Sequence, residues 1–250
     1  DHVTVSGNVM ATDAGDFWQG GGGIYNGEGA VLDLIDSTVS NNTSGWSGGG
    51  VYSFFNSTTN IVRSTISGNV AGDVGGGLRL LGNAEIVNST ISSNESTGWY
   101  GGALFLTDGV LNMTNSTVVD NMSPAGAPAA VFVGTFGDSS ATLNVANSII
   151  ANNVTEGCFL APYGAGPVAI NSLGSNLFTD ATCFSVGSDQ IVGDPGLDSL
   201  AGNGGPTLTH ARLAGSPAID AANTAVCPAT DQRGVARDAA CDIGAFEYVP

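Results

Sequence analysis

Short runs in which apolar and polar residues alternate recur along the first two thirds of the chain. They include AVLDLID at 30–36, TNIVRS at 59–64, AEIVNS at 84–89 and ATLNVANS at 141–148. A period of two places successive side chains on opposite faces of a β-strand. No segment combines a helical period with caps, and the turn residues lie too close together for helices of ordinary length. The pattern therefore predicts an all-β chain of short strands.

Two further motifs share one period. Glycine-rich triplets end at Gly23, Gly50, Gly77 and Ala103, and more weakly at Ala130, at steps of 27, 27, 26 and 27 residues. A Ser-Thr-Val/Ile motif interleaves with them and ends in an asparagine. These asparagines are Asn8, Asn42, Asn69, Asn94 and Asn121.

Repeats of this length that contain only strands and turns are typical of a solenoid. We predict a single-stranded, right-handed parallel β-helix of roughly eight coils over residues 1–192, with the hand taken from the strand-crossover rule. An irregular, disulfide-stapled C-terminal cap, continuous with the helix, is predicted over residues 193–250.

In such a coil each position lies one strand spacing, about 4.8 Å, from its equivalent in the next coil. The glycine triplets are then corners that need a positive φ or a close backbone approach, and Gly77→Val would be strongly destabilising. The asparagines tolerate the left-handed region, and their amides can bond along the column. Val39, Ile66, Ile91 and Val118 are predicted to point inward, with the neighbouring serines and threonines in outward columns.

The charge balance narrows the choice of partners. The chain has no lysine, and five arginines face 22 acidic residues, which gives a net charge of −17. Such a field disfavours nucleic acid and anionic lipid heads as partners. No apolar run reaches the length of a membrane span, and GGGGIY lacks the GK[ST] ending of a phosphate-binding loop. We interpret the acidity as favouring solubility outside a cell, ahead of cation binding.

Four cysteines lie in the last part of the chain, without the CxxC spacing of a metal site. Pairing between sequence neighbours predicts the disulfides Cys158–Cys183 and Cys227–Cys241. Two local disulfides indicate an oxidising compartment, and therefore an extracellular or cell-surface protein.

The repeats resemble a known pattern. STISGNVAGDVGGGLRL (64–80) and STISSNESTGWYGGALFL (89–106) are similar to the GGA[ILV] and FxxN repeats of polymorphic outer-membrane proteins and their β-helical relatives, over roughly residues 3–153. Val39, Ile66 and Ile91 replace the phenylalanine of FxxN, so the match is to the broad repeat class.

The end of the chain resembles a second family. GDPGLDSLAGNGGPTLTHARLAGSPAIDAAN (193–223) and DQRGVARDAACDIGAFEY (231–248) resemble the C-terminal module of choice-of-anchor Q domain proteins. The resemblance implies a secreted or surface-exposed parallel β-helix that usually has no assigned activity.

Catalytic chemistry has few candidates. A pectate-lyase-like enzyme would need carboxylates around Ca²⁺ and a basic residue. Asp33, Asp36 and Asp73 lie near Arg63 and Arg79 in sequence, but the acids do not recur at one repeat position, so we interpret them as solvated. His2 and His210 have no evident serine or cysteine partner, and we interpret both as surface or cap residues.

A charge cluster near the C-terminus has two interpretations. We favour an arginine–aspartate network that pins the cap over a Ca²⁺ site. The cluster contains Asp231, Arg233, Arg237, Asp238 and Asp242.

Aromatic residues mark the loops before the glycine corners. Trp18, Trp46, Trp99 and Tyr100 would either contact a glycan or a protein partner, or fold back over the coil. Nine Asn-x-Ser/Thr sequons are candidates for glycosylation. They lie at Asn41, Asn42, Asn56, Asn88, Asn94, Asn112, Asn115, Asn121 and Asn153.

These observations favour a non-enzymatic extracellular structural or adhesive surface protein without a cofactor. An open N-terminal coil at residues 1–10 suggests head-to-tail stacking into a filament, with a missing upstream segment as the alternative. The rival hypotheses are a carbohydrate-active β-helix enzyme and a glycan-binding module that uses the tryptophan loops.

Overall fold

A computed structural model describes residues 1–11, 19–124, 126, 130–154, 156–183 and 185–249. Over these ranges the chain has no helix and winds into a parallel β-solenoid of about six turns. The all-β fold is therefore confirmed, but the predicted eight coils are too many. Only one sheet has eight strands, because the partial turns at the two ends contribute to it and not to the six-stranded sheets.

Four parallel sheets run along the solenoid, and their strands are numbered here in chain order. Sheet 1 contains β1 (Thr4–Ser6), β5 (Thr38–Ser40), β9 (Thr65–Ser67), β13 (Thr90–Ser92), β17 (Thr117–Val119), β20 (Ile149–Ala151), β23 (Leu177–Phe178) and β24 (Gln190–Ile191). Sheet 2 contains β2 (Val9–Met10), β6 (Thr43–Ser44), β10 (Val70–Ala71) and β14 (Glu95–Ser96). Sheet 3 contains β3 (Ile24–Asn26), β7 (Val51–Ser53), β11 (Leu78–Leu80), β15 (Leu104–Leu106), β18 (Val131–Thr135) and β21 (Cys158–Pro162). Sheet 4 contains β4 (Val31–Ile35), β8 (Thr58–Val62), β12 (Asn83–Val87), β16 (Gly109–Thr114), β19 (Ala141–Ala146) and β22 (Val168–Ser172).

Equivalent residues of successive turns lie directly opposite one another. In sheet 1, Val39 pairs with Ile66, and Ile91 pairs with Ile66 and Val118. All four are buried in an apolar core that runs through the coils. The regular stacking of inward residues is therefore what the alternating pattern encodes.

The motif asparagines form a buried ladder. Each side-chain Nδ2 of Asn42, Asn69, Asn94 and Asn121 donates to the Oδ1 of the asparagine in the next turn, over 2.9 to 3.1 Å. The left-handed conformation lies one residue earlier, for example at Asn41 with φ 54°. The predicted bonding of the amides along the column is therefore confirmed, whereas a left-handed φ is not found at these asparagines.

The glycine triplets combine two constraints at separate positions. The first glycine has the positive φ, as Gly48 and Gly75 show with 63° and 69°. The last glycine does not: a Cβ on Gly77 would lie 2.6 Å from the carbonyl oxygen of Ala103 and 3.1 Å from Cγ of Asn94. Close packing, and not positive φ, is therefore the physical reason to expect that Gly77→Val is destabilising.

The C-terminal segment, residues 193–249, lies along the outer face of sheet 1. It begins with the antiparallel pair β25 (Leu197–Ala201) and β26 (Thr209–Arg212). The threonines of sheet 1 flank the inward residues, as predicted, but the segment buries them. Thr65 Oγ1 donates to the carbonyl of Leu208 over 2.6 Å, and Thr90 Oγ1 donates to Gln232 Oε1 over 2.6 Å.

The two disulfides are Cys158–Cys183 and Cys227–Cys241, the pairs that sequence proximity favours. The first joins the last strand of sheet 3 to the loop after β23, and both its cysteines are buried in the solenoid core. The second lies within the C-terminal segment. Both are compatible with an extracellular location.

At the N-terminal end, β1 to β4 each form the edge of their sheet. Val3, Val9, Tyr25 and Val31 are exposed there. Head-to-tail stacking through this edge stays a prediction. The described residues include no helix of a length and apolarity that could cross a membrane.

Candidate ligand-binding groove

A column of large side chains follows the outer face of sheet 3. The register opposes Tyr52 to Arg79, Arg79 to Phe105, and Phe105 to Phe132. The rings of Phe105 and Phe132 stack with their centroids 4.2 Å apart. One position of the repeat thus carries an aromatic residue in most turns and an arginine in one.

Loops on both sides raise this column into a groove. On one side, Trp46, Asp73 and Trp99 are successive equivalents, because the Asp73 N–H donates to the Trp46 carbonyl and the Trp99 N–H donates to the Asp73 carbonyl, each over 2.8 Å. Tyr100 follows, and its ring stacks on Phe132 at a centroid distance of 4.9 Å.

The opposite wall comes from the loops that follow the strands of sheet 3. Phe136 and Tyr163 stack at a centroid distance of 5.8 Å. A hydrogen bond with Tyr100 is the main influence that raises the pKa of Tyr163, and both tyrosines line the same cavity.

Between the walls lies an open cavity of about 540 Å³, within the ~300–1,000 Å³ usual for small-molecule sites. Trp99, Phe136 and Tyr163 line it and are 59%, 63% and 57% exposed. A second cavity of about 280 Å³ shares Arg79 and Phe136 with the first and is also lined by Thr107 and Ser139. The groove is therefore a continuous apolar surface with a few polar groups.

Arg79 is the principal polar group of the groove. Its guanidinium carbon lies 4.5 Å from the centroid of the Phe105 ring, a cation–π arrangement. Burial lowers the pKa of Arg79. The charge of Tyr52 and its hydrogen bond raise this pKa, and the charge of Asp73 raises it less. The Nε atom is buried and has no hydrogen-bond partner.

Arg79 differs from the paired arginines. In the described part of the chain the ion pairs are Arg63–Asp36, Arg233–Asp231 and Arg237–Glu247. Asp73 lines the same cavity; burial raises the pKa of Asp73, while the charge of Arg79 lowers it. Arg79 therefore forms no ion pair with any carboxylate that the structure describes.

The sequence located part of this site. Trp99 and Tyr100 line the cavity; Trp46 is partly buried beside it, and its neighbour Ser47 is in the lining. Trp18 lies outside the described residues. Arg79 was identified only as a weak catalytic candidate. Its position, two residues after a triplet end and equivalent to Tyr52 and Phe105, is the signal that would have found it.

Among the described residues that line the cavity, Asp73 carries the one carboxylate, whereas acid–base hydrolysis of a glycoside usually uses two. Asp36 is held by Arg63 through contacts of 2.8 and 2.6 Å, and Asp33 accepts a bond of 2.7 Å from Asn60. Throughout the described ranges, no group of three or more His, Cys, Asp and Glu side chains is arranged to hold a metal ion.

In the C-terminal segment, arginines and acids form an interlinked network. Arg233 Nε donates to Asp231 over 2.8 Å, and Arg237 Nη1 donates to Glu247 over 2.8 Å. The carboxylate of Asp242 accepts the backbone N–H groups of Asp220 and Tyr248. This arrangement is the arginine–acid network that the sequence favoured over a Ca²⁺ site.

The sequons divide into two groups by burial. Asn42, Asn94 and Asn121 are in the buried ladder, and the C-terminal segment covers Asn88 and Asn115. The folded chain leaves no room for a glycan on these five. Asn41, Asn56 and Asn112 are exposed and Asn153 is half-buried, so glycosylation at these four stays a prediction.

Of the two placements expected for His210, surface or cap, the structure gives the second: the residue is buried within the C-terminal segment. Its side chain is 3% exposed and lies between the C-terminal segment and sheet 1. Its Nε2 atom is 2.9 Å from the Ser92 hydroxyl, and its Nδ1 atom is 2.7 Å from the Asp198 carbonyl oxygen. The carbonyl requires a proton on Nδ1, so Nε2 accepts from Ser92. Ser92 is completely buried, and a nucleophilic role is therefore excluded in the folded state.

We expect this histidine to make stability depend on pH. Burial lowers the pKa of His210, opposed by the hydrogen bond to Asp198 and the charge of Asp120 and reinforced by Arg212. Below an ordinary histidine pKa of about 6.5 the unfolded chain takes up a proton that the folded chain does not, so stability falls as pH falls. Thermal melting between pH 7.5 and 5.5 should show a decreasing Tm that His210→Gln flattens. The exposed His2→Gln control should keep the full decline, and an equal slope in all three proteins would contradict the assignment.

Comparison with known proteins gives no relative for this fold and groove: no family model, no curated protein and no solved structure matches the chain.

Proposed function

We propose that this protein is a non-enzymatic, extracellular surface protein that binds a glycan in the groove on sheet 3. The observation that carries the proposal is the convergence of three exposed aromatic side chains, Trp99, Phe136 and Tyr163, on one cavity. Exposed aromatic rings around a cavity offer flat apolar surfaces on which sugar rings stack. An isolated exposed aromatic residue would need no such explanation.

The extracellular part of the proposal has two supports. The chain carries two disulfides, which persist in oxidising compartments. Its repeats and C-terminal motifs resemble those of secreted and surface-exposed β-helix proteins. An adhesive role follows if the ligand belongs to another cell or to a matrix.

The test is binding to a panel of soluble oligosaccharides, measured by isothermal titration calorimetry. Trp99→Ala should weaken binding about tenfold, which corresponds to about 1.4 kcal/mol. Tyr25→Ala is the matched control, because Tyr25 is an aromatic residue of sheet 3 that is exposed to a similar degree as Trp99 but is not among the residues that line the cavity. A protein that binds no oligosaccharide of the panel, or a Trp99→Ala variant that binds as well as the control, would refute the proposal.

A further inference from the structure

The groove contains polar atoms that its own chain leaves without a hydrogen bond. Arg79 Nε and Thr107 Oγ1 are both buried and have no hydrogen-bond partner. Thr107 lines the smaller cavity, and Arg79 lines both cavities. The two residues therefore border the same groove. A buried polar group without a partner is unfavourable, and a ligand atom that bonds to it removes that cost. Arg79 and Thr107 therefore indicate a ligand that has polar groups at a defined position and flat apolar faces that can stack on aromatic rings.

The positive charge of Arg79 indicates that the ligand carries a negative charge. The chain carries a net charge of −17, so a groove-lining guanidinium that forms no ion pair with a described carboxylate is a local exception to a strongly negative field. The stacking on Phe105 orients the guanidinium plane, and the fork of an arginine matches the two oxygens of a carboxylate. Asp73, which could compete for this cation, is disfavoured in its charged form by burial.

We propose that the groove selects acidic saccharides and holds the carboxylate of a uronic-acid-type sugar on Arg79, with the sugar rings against Trp99, Phe136 and Tyr163. This inference rests on the proposed glycan-binding function and adds the class of ligand. Thr107 is placed to bond a hydroxyl or carboxylate oxygen of the same ligand.

The experiment compares three trisaccharides of equal length by calorimetry: an oligouronate, its methyl ester, and a sulfated neutral sugar. The native protein should bind the oligouronate at least tenfold more tightly than the ester. Arg79→Met keeps an apolar chain over Phe105 and should remove this preference, whereas Asp73→Asn should strengthen oligouronate binding.

Arg63→Met is the matched control, since it changes the net charge by the same amount far from the groove, and it should keep the full preference. Thermal melting of each variant verifies that it is folded. Equal binding of oligouronate and ester would overturn the inference while leaving glycan binding intact. An equal loss in both arginine variants would assign the effect to bulk charge, and tighter binding of the sulfated sugar would overturn the choice of carboxylate. Failure of all three sugars to bind would refute the proposed function itself.

Discussion

Replacing Asn94 with leucine is expected to lower the free energy of unfolding by about 4 kcal/mol, because each buried donor left without a partner costs about 1–3 kcal/mol. Asn94 Oδ1 accepts both the backbone N–H and the side-chain Nδ2 of Asn69, and Asn94 Nδ2 donates to the carbonyl of Ile66 and to Asn121 Oδ1. All these groups are buried. Leucine fills a similar volume but provides none of these bonds.

Asn112→Leu provides the control for this substitution. Asn112 is exposed on sheet 4, where it accepts one bond from Asn144 over 2.9 Å, and water can replace that bond. We expect a change within about 0.5 kcal/mol, as for surface substitutions in general. Urea denaturation followed by circular dichroism measures both, and similar losses in the two variants would show that the buried ladder is not a special source of stability.

The asparagine ladder shows why much of this fold can be predicted from the sequence. In a parallel solenoid, residues that touch across strands occupy the same place in successive repeats. A residue type that such a contact requires, as the Asn94 bond to Asn121 requires asparagine, then recurs once per turn. The period of the sequence therefore predicts which residues are in contact. The inward column of Val39, Ile66 and Ile91 is predictable for the same reason.

The C-terminal segment has no such signal. Asn88 bonds to the carbonyl of Thr230, and Gln232 bonds to the carbonyl of Ser64, at sequence separations of 142 and 168 residues. Neither partner recurs at a repeat position, so nothing in the sequence pairs them. The expectation that the threonines beside Ile66 would face outward was right about their direction, but their burial depends on this long-range packing.

The groove could be predicted from the sequence only in part, unlike either the asparagine ladder or the C-terminal segment. Arg79 and Phe105 belong to a repeat position and could be aligned from the sequence. Phe136 and Tyr163 lie in loops whose lengths vary between turns, so their approach to Trp99 depends on backbone geometry that the period does not encode.

The packing of the C-terminal segment leads to the second large effect, at Glu247. Its carboxylate is 2.8 Å from Arg237 Nη1, and the side chains of the pair are 3% and 2% exposed. It also accepts the backbone N–H groups of Asp238 and Asp242, each over 3.1 Å. Burial lowers the pKa of Arg237, and the charge and hydrogen bond of Glu247 are the main influences that oppose this.

Glu247→Gln should therefore cost about 3–5 kcal/mol, the usual penalty for leaving a buried charge without its counterion. Asp36→Asn breaks the Arg63 ion pair, in which the arginine side chain is 32% exposed, and should cost no more than about 1 kcal/mol. Because Glu247 acts through the C-terminal segment and not through the coils, limited proteolysis of Glu247→Gln should cut first within residues 193–249. Equal urea midpoints for the two variants, or first cleavage inside the coils, would mean that this buried pair does not hold the segment against sheet 1.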